Sequence, residues 1–256
     1  MQVGLALGGG VARGAAHVGV LSVLEREQVP VACVAGASAG ALVGALYCAG
    51  LRLPEMESVL KQFGWLHIAR PVFSRQGLLS FAPMEQWLAA MIGDLTFADL
   101  RCPLAVVATD LMTGLPVVLR EGRVAPAVRA SCSVPGVVVP LERDGRLLVD
   151  GCIANSVPGA AARELGADYV IGVDLFVGDN TRQRGPLRIG LAALEHLLRR
   201  SGGGLAAVDC LISPELQGIS YVRFARSVEA AARGARAAEA QLPAMRAALR
   251  PARPAV

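Results

Sequence analysis

VACVAGASAGALVGALYC runs from Val31 to Cys48. Its first five residues, Val31–Ala35, are a short apolar run bounded by a turn, which predicts a buried strand. Ala39–Ala49 continues in small and aliphatic residues and predicts a helix. Between the two lies Gly36-Ala37-Ser38-Ala39-Gly40, a GxSxG at a strand-to-helix turn, the setting in which that pentapeptide works as a nucleophile elbow. A turn this tight strains the serine backbone and projects its hydroxyl, while Gly36 and Gly40 keep the neighbouring chain from clashing. The helix that follows aims its N-terminal N–H groups at developing negative charge. The same five residues also suit a small-residue turn capped by a serine, and the pentapeptide alone does not separate the two. Residues 28–51 carry no charged side chain, and 24 positions would span a bilayer. Pro30, Gly36, Gly40, Gly44 and Gly50 interrupt them, however, which favours a buried strand–turn–helix over a transmembrane helix.

The same alternation extends outward. Val3–Leu7 predicts a strand, followed by a Gly-rich turn and a helix from about Gly14 to Arg26. Strand plus helix repeated in this way implies a parallel sheet covered on both faces, an α/β fold with three layers (α/β/α) and a mostly parallel central sheet. From Pro54 to Gly93 the pattern changes to short helices and loops, and six of the eleven aromatic residues fall between Phe63 and Phe97. Sheet patterning returns at Leu104–Thr109, Pro116–Leu119, Leu147–Val149, Tyr169–Asp174 and Val208–Ile212. The last thirty or so residues are Ala- and Arg-rich and read as a helix with a frayed end. No repeat or Ser/Pro-rich linker divides the chain, so residues 1–256 are read as one domain, with a core over about 3–233.

Composition narrows the function classes. The 256 residues are 54% hydrophobic and 18% charged, against a usual charged share of about 25%, which excludes a mainly disordered chain. A net charge of +4 is too mild for a dedicated nucleic-acid binder. Six cysteines, at 33, 48, 102, 132, 152 and 210, form no CxxC pair and stand beside only three histidines, so neither metal-ligand spacing nor a disulfide framework is expected. With no basic n-region after Met1, no signal peptide is expected either. Together these features point to a reducing, cytoplasmic compartment, with peripheral contact at the inner membrane surface left open.

Gly8-Gly9-Gly10-Val11-Ala12-Arg13-Gly14 follows the first strand, and consecutive glycines free backbone N–H groups to face a cleft, as an oxyanion hole or anion nest requires. A dinucleotide loop is the rival reading. It fails because GxGxxG started at Gly8 would put Arg13 in the last position, and no acidic residue ends the second strand. A serine nucleophile needs a base. His17, His67 and His196 complete no triad, whereas Asp150-Gly151, after the strand Leu147–Val149, is where an α/β protein presents a reactive carboxylate at a strand's C-terminal end.

Five segments taken together resemble the bacterial patatin-like phospholipases, lipid acyl hydrolases that use a Ser-Asp dyad. They are GGGVARG at 8–14, GASAG at 36–40, PLAVVATDLMTG at 103–114, RASCSVPGVVVP at 129–140 and VDGCIANSVP at 149–158. The resemblance runs from Leu5 to about Arg233. It implies that Ser38 is the nucleophile and Asp150 its base, that Gly9 and Gly10 supply the oxyanion hole, and that Gly8, Arg13 and Gly14 support that loop. Arg13 either fixes the loop or meets an anionic head group, and Gly151 shapes the Asp150 loop. No metal or cofactor is implied. The expected substrate is a phospholipid, lysophospholipid or related acyl ester; a catalytically silent lipid-binding or regulatory protein is the alternative. Two departures stand out: Cys152 follows Asp150-Gly151 where the family has Gly or Ala, and Asn155-Ser156-Val157-Pro158 replaces the commoner Asn-Pro-Val-Pro.

Other residues read as structural. Asp110 and Asp174 end predicted strands, and the resemblance implies that they pair with sheet-edge loops; Ser131 and Ser133 are expected to cap or turn the segment Arg129–Pro135. The aromatic cluster at 63–97 is expected to line an acyl-chain pocket or touch lipid, with a second small core as the plainer reading. Residues 223–256 hold seven Arg and two Glu, which suits either attraction to an anionic bilayer or a solvated helix face.

Overall fold

The computed structural model describes residues 1–176, 189 and 195–249. It has β1 (Val3–Leu7), α1 (Ala15–Arg26), β2 (Val31–Ala37), α2 (Ala39–Cys48), α3 (Leu53–Gln62), α4 (Trp65–Ile68), β3 (Arg70–Pro71) and β4 (Leu79–Ser80). After these come α5 (Ala82–Ile92), β5 (Leu104–Asp110), β6 (Pro116–Leu119), α6 (Val124–Ser131), β7 (Leu141–Arg143) and β8 (Arg146–Val149). The described part ends with α7 (Gly159–Glu164), β9 (Tyr169–Val173), β10 (Cys210–Ile212) and α8 (Ser227–Leu249).

The main sheet has the order β10-β9-β1-β2-β5-β8-β7, with β6 also paired to β5. The five strands from β10 to β5 are parallel, and β6, β8 and β7 add an antiparallel edge. The strands alternate between two faces, as a period of two requires. Leu5, Leu7, Val34, Val106 and Ile171 pack under α1, α2 and α8 on one side. Ala6, Cys33, Ala35, Val107 and Val170 meet α7 on the other. The result is the three-layer, mostly parallel α/β sheet that the alternating pattern predicts.

Boundaries differ from the sequence reading in places with a physical cause. β2 runs two residues past Ala35, to Ala37, because residues through Ala37 pair with β5. The last strand shrinks to Cys210–Ile212, as Val208 turns its side chain over Gly172 of β9 instead of extending the ladder. β7 was not foreseen. It forms a hairpin with β8 across Asp144-Gly145, both at positive φ (51° and 72°), the backbone that an Asp-Gly hairpin turn demands. No helix among the described residues is long and apolar enough to cross a membrane; the uncharged stretch 28–51 is divided between β2 and α2.

The C-terminal helix is part of the packing. α8 lies against α1 so closely that a Cβ on Gly19 would stand 1.8 Å from the Ala231 carbonyl oxygen. One on Gly234 would stand 2.0 Å from that of Ala16. Glycine inside a helix costs about 1 kcal/mol relative to alanine, and here both glycines let two backbones touch. Ala230, Ala238 and Met245 are fully buried at this contact, which explains why α1, covered by the sheet and α8, is apolar nearly all round. Three of the arginines of this stretch are paired, Arg226 and Arg233 with Glu229 and Arg246 with Glu27, while its Glu239 meets Arg26 of α1. Arg223 and Arg236 are exposed, and residues 250–256 lie outside the described part. Gly234→Val should lower stability by about 1–3 kcal/mol, the usual cost of overpacking, read as a shift in the urea midpoint. An unchanged midpoint would mean that the two helices do not meet as described.

Candidate active site

β1 and β2 are parallel neighbours with Leu7 opposite Gly36, so the turns that leave their C-terminal ends are adjacent. The first carries Gly8–Gly14 and the second carries Ser38. Ser38 sits at φ 52°, ψ −120°, a backbone that a non-glycine residue adopts only under constraint. Gly36 and Gly40 make that turn possible: Gly36 lies against Ala41, and Gly40 against the Leu7 carbonyl. α2 starts at the next residue, so its N-terminus is aimed at the space in front of the hydroxyl.

Asp150 reaches Ser38 from two strands away. β8 is antiparallel to β5, with Val149 opposite Thr109, so Asp150 does end its strand, but a strand that enters from the opposite direction to β2 and β5. The chain then bends across β5. A Cβ on Gly151 would lie 1.9 Å from the Val107 carbonyl oxygen, so only glycine can make this crossing. Thr109 Oγ1 donates to the Asp150 carbonyl (2.8 Å), and the Asp150 N–H donates to the Ser133 carbonyl (2.9 Å). Ser38 Oγ then donates to Asp150 Oδ2 at 2.7 Å, while the Cys152 N–H donates to Oδ1 at 2.9 Å. Both side chains of the pair are about 95% buried.

Ser131 does more than cap its segment. Its hydroxyl donates to the Val107 carbonyl (2.6 Å) and accepts the Ser38 N–H (2.8 Å), tying the Ser38 turn to the centre of the sheet. The signal was present in the RASCSVPG run, but only the fold brings residue 131 beside residue 38. Ser133 turns back on Arg129 through a 2.9 Å bond to its carbonyl.

The glycine loop faces the same point. A Cβ on Gly9 would come within 3.2 Å of Ser38 Cβ and 2.1 Å of Cys152 Sγ, so Cys152 fills the wall beside that loop. Gly10 lies against Leu175, and Gly14 against Ala39. Gly8 is anchored twice: its N–H donates to the Val173 carbonyl (3.0 Å) and its carbonyl meets His17 Nε2 at 2.7 Å. His17 is fully buried, and burial pushes its pKa down to about 4; it acts as a neutral brace. Arg13 is buried, with Nε donating to the Ile219 carbonyl at 2.9 Å and the guanidinium 3.7 Å above the Tyr221 ring. These contacts tie the loop to the segment 219–221. His67 and His196 are exposed and stand away from Ser38.

Asp110 and Asp174 serve turns. Asp110 accepts from Met112 N–H and the Thr113 hydroxyl, and Asp174 from Phe176 N–H and Arg199. All six cysteines are free. The Cys132 and Cys152 thiols are pushed well up by burial and are therefore poor nucleophiles. Among the described residues no His/Cys/Asp/Glu cluster could hold a metal ion.

In front of Ser38 and Asp150 opens a cavity of about 690 Å³, walled by Leu42, Phe63, Trp65, Phe81, Val138 and Phe224 among others. The aromatic stretch therefore divides by role. Phe63, Trp65 and Phe81 line the cavity, Trp87 lies behind Phe63 (ring centroids 5.0 Å apart), Phe97 is in the core, and Phe73 is fully exposed.

Burial raises the pKa of Asp150 above the ordinary carboxylate value, against the opposing pull of the Ser38 and Cys152 hydrogen bonds. A carboxyl whose folded pKa is raised favours the fold below its unfolded pKa and loses that contribution as pH rises through the folded one. At neutral pH the buried charge is thus a destabilising element. Asp150→Asn keeps both contacts, with its carbonyl accepting from Cys152 and its amide donating to Ser38, and should raise the thermal midpoint at pH 7 while leaving it nearly unchanged at pH 3. A lower midpoint at pH 7 would contradict this account.

A strained serine at a strand–helix turn, a buried carboxylate bonded to it and a glycine loop beside both thus meet at one end of the sheet in a three-layer α/β fold. The family model for patatin-like phospholipase matches residues 5–163, and the chain belongs to that family. It is 38% identical over 190 residues to an uncharacterized NTE family protein of Mycobacterium tuberculosis, covering 73% of this chain and 51% of that one. It is 35% identical over 192 residues to human patatin-like phospholipase domain-containing protein 6, covering 70% of this chain and 14% of that one. The chain thus spans about half the length of the mycobacterial relatives and a smaller part of the human one. Among solved structures, VipD from Legionella pneumophila superposes with a TM-score of 0.55 at 14% identity, over 93% of this chain and 67% of that one. The type III effector ExoU gives 0.53 at 14% identity, over 94% and 52%.

Proposed function

We propose that this chain is a serine esterase that cleaves acyl esters of phospholipids, lysophospholipids or related lipids, with Ser38 as nucleophile and Asp150 as base. The observation that carries the reading is the 2.7 Å bond from the Ser38 hydroxyl to a buried carboxylate at the head of a large apolar cavity. Family membership supports it.

The chemistry follows from the geometry. A carboxylate in water is too weak a base for a serine hydroxyl; burial raises the proton affinity of Asp150, and the hydrogen bond fixes the direction of transfer. Ser38 Oγ attacks the ester carbonyl as its proton passes to Oδ2. The N–H groups of Gly9 and Gly10 and the N-terminus of α2 stabilise the oxyanion, while the Ser38 N–H is already committed to Ser131. Asp150 returns the proton to the departing alcohol. It then takes one from a water that attacks the acyl-enzyme and passes it to Ser38 Oγ as the acyl–oxygen bond breaks and the fatty acid leaves. The apolar cavity receives the acyl chain, and its burial supplies about 0.8 kcal/mol per methylene. A cytoplasmic protein that meets its substrate at a membrane surface is part of the same proposal.

Labelling with a fluorophosphonate and turnover of a short-chain ester test the reading. Both should be present in the wild type and lost in Ser38→Ala; Asp150→Asn should lower turnover by at least about 1000-fold, of the order seen when an activating base is removed. A folded wild type that neither labels nor turns over would favour a silent lipid-binding protein. The profile of kcat/KM should fall on the acid side as Asp150 is protonated, with a midpoint above the ordinary carboxylate range. A profile flat to pH 4 would exclude Asp150 as the base.

A further inference from the structure

Around the cavity mouth the chain exposes large apolar side chains that its own core leaves uncovered. Leu66, on α4, and Phe73, at the tip of the β3–β4 hairpin, are exposed almost in full, and Leu78 to about two thirds. Their inner neighbours Phe63, Trp65, Ile68 and Phe81 line the cavity, so one segment builds the wall with one side and faces solvent with the other.

Hydrogen bonds tie this segment to two more exposed apolar residues. The N–H groups of Leu78 and Leu79 both donate to the Val137 carbonyl at 2.9 Å, and Trp65 Nε1 donates to the Val222 carbonyl at 2.8 Å. Val137 and Val222 are exposed and also line the cavity. Leu66, Phe73, Leu78, Val137 and Val222 thus form one rim. Contiguous exposed apolar surface of this kind marks a contact site.

The charge on the segment identifies the partner. No acidic residue stands between Glu57 and Glu85, a span that holds Lys61, Arg70 and Arg75, all exposed. Arg223, next to Val222, is exposed as well. Apolar tips among cations with no acid between them match a surface that is hydrocarbon below and anionic above.

We propose that the rim Leu66–Phe73–Leu78–Val137–Val222, with Arg70 and Arg75, docks on an anionic phospholipid bilayer and sets the cavity mouth against it. The proposal deepens the lipid-hydrolase reading and rests on it for its purpose. Phe73 and Leu78 enter the head-group boundary, and the arginines pair with lipid phosphates above them. An acyl chain can then pass from bilayer to cavity without crossing water.

The test is co-sedimentation of the full chain, carrying Ser38→Ala so that the lipid stays intact, with vesicles of phosphatidylcholine alone or enriched in phosphatidylglycerol. The parent should pellet with the anionic vesicles. Phe73→Asp should weaken that binding by more than about ten-fold, and Arg70→Gln with Arg75→Gln by roughly five-fold per residue removed. In an otherwise wild-type chain these variants should keep the thermal midpoint and the turnover of a soluble short-chain ester. Failure of the parent to pellet with anionic vesicles, or equal binding by Phe73→Asp, overturns the docking face. Ester turnover without vesicle binding would leave the hydrolase reading standing and remove this one. Vesicle binding lost in the rim variants, in a chain without ester turnover, would support the face and remove the hydrolase reading.

Discussion

β5 lies between the strands that carry the two halves of the candidate site. Ser38 follows β2 and Asp150 follows β8, and two strand spacings amount to about 10 Å, far beyond a hydrogen bond. The chain closes that gap by folding Asp150-Gly151 over β5, where the Val107 carbonyl leaves no room for a Cβ. The same Val107 carbonyl accepts the Ser131 hydroxyl, which in turn accepts the Ser38 N–H. One backbone oxygen in the middle of a central strand therefore sets the height of both the Ser38 turn and the Asp150 carboxylate.

What surrounds that pair is arranged around a carboxylate held out of water. Buried charge is costly unless it is bonded, and Asp150 has the Ser38 hydroxyl and the Cys152 N–H. The wall opposite is apolar, so little else competes for its charge. Neutral His17 and buried Arg13 work at one remove: the first grips the Gly8 carbonyl, and the second ties the loop to the Ile219 carbonyl and the Tyr221 ring. Strain at Ser38 and a desolvated acid both reduce stability in the same small region. The close-packed helices behind the sheet offset them.

Much of this was legible in the residues because it lies in short contiguous runs. GASAG between an apolar strand and a small-residue helix, the triple glycine after Leu7 and the Asp-Gly after Leu147–Val149 are local patterns with local causes. The fold class followed from the alternation of strand and helix. Contacts made only in three dimensions were not legible. Ser131 reads as one serine among several until α6 carries it to the nucleophile turn. The direction of β8 depends on pairing with β5, which sequence periodicity does not encode. The β7–β8 hairpin is a different case, for Asp144-Gly145 carries a turn signal and β8 is legible as Leu147–Val149, but the three residues of β7 are too few to show a period. The arginine-rich C-terminal stretch shows the limit of counting charge, since Arg226 and Arg233 share Glu229 within it and Arg246 meets Glu27 of the chain just after α1.

The contact between α1 and α8 also bears on how the protein folds. Gly19 and Ala231 touch across more than two hundred positions, and α1 is the helix that follows the glycine loop. Such long-range contacts close late, after most of the loop-closure entropy has been lost. Until α8 arrives, α1 presents an uncovered apolar flank and the loop that faces Ser38 lacks its backing. Assembly of the candidate site is therefore coupled to α8, and a partly folded chain carries an aggregation-prone surface where the finished one carries a seam.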